Sequence, residues 1–133
     1  MSAVVADTHT AVWYLFDSDK LSPGASAALD GAVQAGDPIY LASIFVVEVV
    51  YLVEKRRLPE AALDQLTSAL ADVEASFVVV PLDLQVVQAL RQIPREMVPD
   101  MPDRIIAATA LHLNLPLVTR DRRLQSAGLT TIW

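Results

Sequence analysis

Short apolar runs that stop at an acid or a turn residue alternate along this chain with stretches whose apolar positions recur every three or four residues. Val4-Val5-Ala6 breaks off at Asp7-Thr8, which predicts a buried strand carrying an acid at its carboxyl end. His9 to Phe16 follows as a helix. Ser22 as N-cap and Pro23 at the first helical position start the next, and Gly36-Asp37-Pro38 ends the connection after it. Ile39 to Ala42, Phe77 to Val80, Leu117 to Thr119 and Thr130 to Ile132 are the remaining predicted strands. Between them, Pro59-Glu60 opens a helix with Leu63, Leu66, Leu70 and Val73 on one face, and Asp83 to Gln92 is helical again. Ile93 to Pro102 holds three prolines and reads as loop, leading into a strong helix pattern over Asp103 to Leu111 with the acid in its first turn.

Ile39 to Val53 is the contested stretch. Its β-branched and aromatic residues favour a strand by local propensity, but a strand of that length would be unusual. Ser43 can instead cap a helix that continues through Glu54, Lys55 and Arg56, apolar nearly all round and therefore largely buried. Glu48 stands alone in that run. An ionised group buried without a partner costs several kcal/mol, so Glu48 calls for a hydrogen bond, an ion pair such as one with Arg104, or a metal.

Strands alternating with helices imply a mostly parallel sheet covered on both faces. At 133 residues the chain is expected to form one domain, residues 1–133. The absence of cysteine excludes disulfides, thiolate metal sites and a thiol nucleophile. Met1 to Ala6 lacks the basic start of a secretory signal, and Ile39 to Val53 falls short of the ~20 apolar residues of a membrane span, so a cytoplasmic, non-membrane protein is expected. Net charge is −6, which disfavours gripping nucleic acid by overall electrostatics. Its distribution is uneven: residues 1–90 carry twelve acids against four bases, while residues 91–133 carry six arginines against Glu96, Asp100, Asp103 and Asp121.

In open parallel sheets the functional site lies beyond the carboxyl ends of the strands. Asp7 and Asp121 follow two predicted strands, Asp103 begins the helix leading into the later one, and Glu48 lies about a turn and a half into the helix that leaves the second strand. Four carboxylates sharing one cleft would repel each other unless a hard divalent cation accepted their oxygens. With no cysteine and only His9 and His112, the donor set favours Mg²⁺ or Mn²⁺. Each acid also has an ordinary structural role open to it: Asp7 as a strand-end turn residue, Asp103 and Asp121 as helix caps. Arg104, Arg120, Arg122 and Arg123 are candidates for holding phosphates, Arg104 the preferred one. Met97 and Met101 read as contact surface for a partner.

Val4-Val5-Ala6-Asp7-Thr8-His9, the isolated Glu48 after Ser43, Asp103-Arg104-Ile105-Ile106-Ala107-Ala108-Thr109-Ala110 and Thr119-Arg120-Asp121 occur in the order and spacing of PIN-domain proteins. From Asp7 to Trp133 the chain resembles a VapC-type toxin ribonuclease. The resemblance implies a three-layer α/β/α fold, metal-dependent cleavage of RNA phosphodiesters, neutralisation by a cognate antitoxin protein and frequent homodimerisation. It assigns Asp7, Glu48, Asp103 and Asp121 to the catalytic metal site and Thr119 to supporting the last acid. The rival within this fold is a non-catalytic module that docks a protein or RNA partner. A phospho-acceptor signalling domain would need a lysine beyond a late strand, and none follows Lys55.

Overall fold

The computed structural model describes residues 2–133. Five strands, β1 (Val4–Ala6), β2 (Ile39–Ala42), β3 (Phe77–Val80), β4 (Leu117–Val118) and β5 (Thr131–Ile132), form one all-parallel sheet in the order β3-β2-β1-β4-β5. The order reverses between β1 and β4, which makes the gap beyond their carboxyl ends the natural place for a site. Alternation along β1 divides the core: Val4 and Ala6 pack with one apolar cluster, Val5 with the other.

The first cluster is completed by α1 (Thr8–Leu15), α2 (Pro23–Ala35), α3 (Ser43–Glu54) and α4 (Glu60–Ala71), through residues such as Val12, Leu29, Phe45 and Leu66. The second is completed by α5 (Leu84–Leu90), α6 (Met101–Leu113) and α7 (Arg122–Gln125), through Val86, Ile106, Ala110 and Leu124. This is the three-layer α/β/α arrangement the alternating pattern implies. Six consecutive residues of α6, Ile105 to Ala110, are buried, and the hydroxyl of Thr109 among them is satisfied by donating to the Ile105 carbonyl at 2.9 Å.

Helix ends follow their capping chemistry. Ser22 accepts from Ala25 N with Pro23 in the first turn, as expected, and Gly36 closes α2 in the left-handed conformation at φ 73°. Other ends depart from expectation. Ser43 is the first residue of α3 and Ala42 takes the cap position without a side-chain bond. The helix stops at Glu54, and Arg56 already has φ 58°. α4 ends at Ala71, which leaves Val73 outside the helix and almost fully exposed. α6 begins at Met101 because Asp100 accepts from Asp103 N at 3.2 Å, so the cap lies inside the expected loop. α3 is also less buried than its composition suggests: only Phe45 and Val49 are buried, while Val47 and Tyr51 are 47% and 57% exposed. Apolar residues all round a helix do not find partners all round when the neighbouring helices cover one side.

Candidate active site

Asp7 is the residue on which β1 ends and α1 begins. Its carboxylate accepts from Thr8 N at 2.7 Å as the cap of α1 and from the Thr119 hydroxyl at 2.7 Å. Thr119, fully buried just beyond β4, accepts in turn from Asp121 N at 3.0 Å. Asp121 caps α7 by accepting from Arg123 N at 2.8 Å. One hydroxyl thus ties the acid of the central strand to the loop that carries the last acid. Across the cleft, the Thr8 hydroxyl donates to Glu48 Oε1 at 2.6 Å and fixes α3 against the start of α1. Glu48 is therefore half-buried with a hydroxyl partner.

Asp7, Glu48, Asp103 and Asp121 all line one cavity of about 880 Å³, together with Asp100. Their electrostatics record the convergence. Burial pushes the Asp7 carboxyl above the usual range, against the lowering effect of its hydrogen bonds from Thr119 and Thr8. Burial likewise raises Glu48, opposed by the Thr8 bond and assisted by the charges of Asp7 and Asp100. Asp103 is pushed up to about 7, first by burial and then by the negative charges of Asp7, Asp100, Asp121 and Glu48. A cleft in which burial and mutual repulsion disfavour the ionised form of Asp7, Glu48 and Asp103 favours any cation that relieves them.

The arginines divide. Arg104 gives its Nε to the Ile93 carbonyl at 2.9 Å and its Nη2 to the Leu90 carbonyl at 3.2 Å, so it braces the loop before α6 and does not line the cavity. Arg122 and Arg123 are exposed on α7 and stand outside the cavity lining as well. Arg120 faces it, with its guanidinium carbon 4.6 Å from the centre of the Trp13 ring. His9 lines the rim beside Trp13, and His112 lies in the last turn of α6. The bond from Thr8 to Glu48 and the placement of Trp13 are not marked by any local pattern in the sequence, only the adjacency of Thr8 to Asp7 hinting at the first. The capping role of Asp100 does have a local signal, an Asp followed by Pro102 and Asp103 in the first turn.

A PIN domain family model matches residues 4–128. The chain belongs to the PIN-domain family. This PIN domain is 32% identical over 126 residues to Ribonuclease VapC22 of Mycobacterium tuberculosis, a match that covers 95% of this chain and 92% of that protein. Its fold is similar to that in the crystal structure of VapBC2 from Rickettsia felis bound to a promoter DNA fragment, at TM-score 0.72 and 18% identity over 97% of this chain and 96% of the other. FitAcB from Neisseria gonorrhoeae is similar at TM-score 0.65 and 23% identity over 96% and 95% of the two chains. A toxin–antitoxin complex from Klebsiella pneumoniae gives TM-score 0.66 and 21% identity over 98% and 96%. No helix among the described residues of this PIN domain is long and apolar enough to cross a membrane.

Proposed function

We propose that this PIN domain is a Mg²⁺- or Mn²⁺-dependent endoribonuclease and the toxin of a toxin–antitoxin pair, acting in the cytoplasm. The observation that carries the reading is the convergence of Asp7, Glu48, Asp103 and Asp121 on one cavity beyond the sheet's switch point, with three of them held above their ordinary pKa. The ribonuclease name of the relative at 32% identity and the toxin–antitoxin complexes among the structural neighbours support it.

Among the described residues no three acids or histidines stand close enough together to hold a metal ion between them. An open set of oxygen donors around a roomy cavity suits Mg²⁺, which keeps several waters and takes few carboxylates directly. Asp7, Glu48, Asp103 and Asp121 would hold it. When bound, such an ion supplies Lewis-acid polarisation of a phosphoryl oxygen and a water of lowered pKa. The chain's own contribution is positional. Thr119 and the Thr8 amide engage both oxygens of Asp7, Thr8 aims Glu48, and Asp100 and the α6 backbone fix the turn that presents Asp103. No nucleophilic side chain is required, since water attacks the phosphorus and the ribose oxygen leaves.

An antitoxin protein and a second copy of the chain are the proposed protein partners. The exposed apolar residues Val47 and Tyr51 of α3, and Met97 and Met101 before and at the start of α6, support contact surfaces for them. The test of the catalytic reading is incubation of the purified protein with single-stranded RNA: cleavage with Mg²⁺ and none in chelator is expected. Metal and RNA binding without cutting would make it a docking module instead.

A further inference from the structure

The lining of the cavity is of mixed character: beside the five acids it includes Trp13, Phe16, Lys20 and Arg120. The acids make their hydrogen bonds with hydroxyls and main-chain N–H groups, which leaves Lys20 and Arg120 facing the open space. Both gather on one indole: the Arg120 guanidinium lies 4.6 Å and the Lys20 ammonium 5.8 Å from the centre of Trp13. Trp13 is itself braced by Trp133 at 6.1 Å and His9 at 5.6 Å between ring centres. A half-buried, braced aromatic holding two cations gives them fixed positions on an otherwise solvated edge.

A molecule of net charge −6 repels a polyanion at long range, so any grip on RNA has to be local. With Arg104 committed to main-chain carbonyls and Arg122 and Arg123 outside the lining, Arg120 is the one of these four arginines that meets the cavity. It is also one residue from the acid whose backbone is anchored to Thr119. We propose that Arg120 and Lys20, held at the rim by Trp13 as a positioning residue, form a subsite that grips a phosphate of single-stranded RNA next to the bond under attack. The proposal rests on the ribonuclease reading of the same cavity. Phe16, 40% exposed on the same lining, is an aromatic on which an unpaired base can stack, whereas a duplex keeps its bases stacked inside.

The test is fluorescence anisotropy of a labelled unpaired oligoribonucleotide with the full chain in chelator, over a series of salt concentrations. Arg120→Ala should weaken binding about tenfold, the worth of a charge-assisted hydrogen bond, and should flatten the line of log Kd against log salt by about 0.7, because one phosphate is no longer neutralised. Arg120→Lys should recover the slope but only part of the affinity, because an ammonium lacks the guanidinium fork. Trp13→Leu should weaken binding while Trp13→Phe restores most of it, with both melting as folded proteins. Unchanged affinity and slope in Arg120→Ala overturns the subsite, as does equal binding of a duplex or of a poly-glutamate peptide of the same charge. Wild-type protein that binds the strand through Arg120 yet leaves it uncut with Mg²⁺ sustains the subsite and defeats the nuclease reading. RNA cut by wild type and bound equally well by Arg120→Ala does the reverse.

Discussion

The hydroxyl of Thr119 serves two acids at once, donating to Asp7 and accepting from the amide of Asp121. It is fully buried, so removing it leaves a carboxylate oxygen of Asp7 and the backbone N–H of Asp121 without their partner. Thr119→Val, nearly the same shape, should cost about 1–3 kcal/mol of stability in urea unfolding and should lower cleavage as well, whereas Thr119→Ser should retain most of both. A Val variant as stable and active as wild type would show that the bond carries neither role. Thr119 is recognisable in the sequence only through the family resemblance. Thr8 is not recognisable there as a site residue, because its bond to Glu48 spans 40 positions and no local pattern encodes which carboxylate a hydroxyl will meet.

Among the elements, three strands, Val4–Ala6, Ile39–Ala42 and Phe77–Val80, are legible to the residue. Helix ends are less so. Asp100 rather than Asp103 caps α6, and Ser43 lies inside α3 rather than before it, since the cap is chosen by where the chain leaves the sheet. The larger surprise is α3. Its unbroken apolar composition reads as burial on all sides, yet Val47 and Tyr51, one turn apart, remain half exposed. A face of this kind is expected to be covered by another chain. Under the proposed homodimer, light scattering should give the mass of two chains for wild type and of one for Tyr51→Glu; a monomeric wild type at all concentrations would remove α3 from that role.

At the scale of the whole molecule, the sheet order β3-β2-β1-β4-β5 gathers acids from four separate segments, and their convergence is legible because Asp7 and Asp121 sit at strand ends. What the sequence does not convey is the degree of burial that raises the pKa values of Asp7, Glu48 and Asp103. Asp103 titrates at about 7 in the folded protein against 3.8 for the free side chain, so between those values the folded state holds a proton that the unfolded state has released. Metal-free protein should therefore lose stability as pH rises from about 4 to 7 on account of this group, and Asp7 and Glu48 act in the same direction. Calorimetry should show a higher melting midpoint at pH 5.5 than at pH 8 in chelator. Asp103→Asn should shrink that difference, and Mg²⁺ at pH 8 should raise the midpoint. Equal pH dependence in wild type and Asp103→Asn would contradict the shift.

At every scale the acids act as one cation-binding, phosphodiester-cleaving group under the proposed function. The measurement that bears on this most directly is cleavage of a labelled single-stranded RNA in Mg²⁺ by wild type, Asp7→Asn and Glu48→Gln, with circular dichroism on each protein. Cleavage by wild type, its loss in chelator, and two folded but inactive variants are the predicted result, with metal-free Glu48→Gln as stable as wild type or more so because a repelling charge is gone. Full Mg²⁺-dependent cleavage by Asp7→Asn, or unfolding of Glu48→Gln, would contradict it.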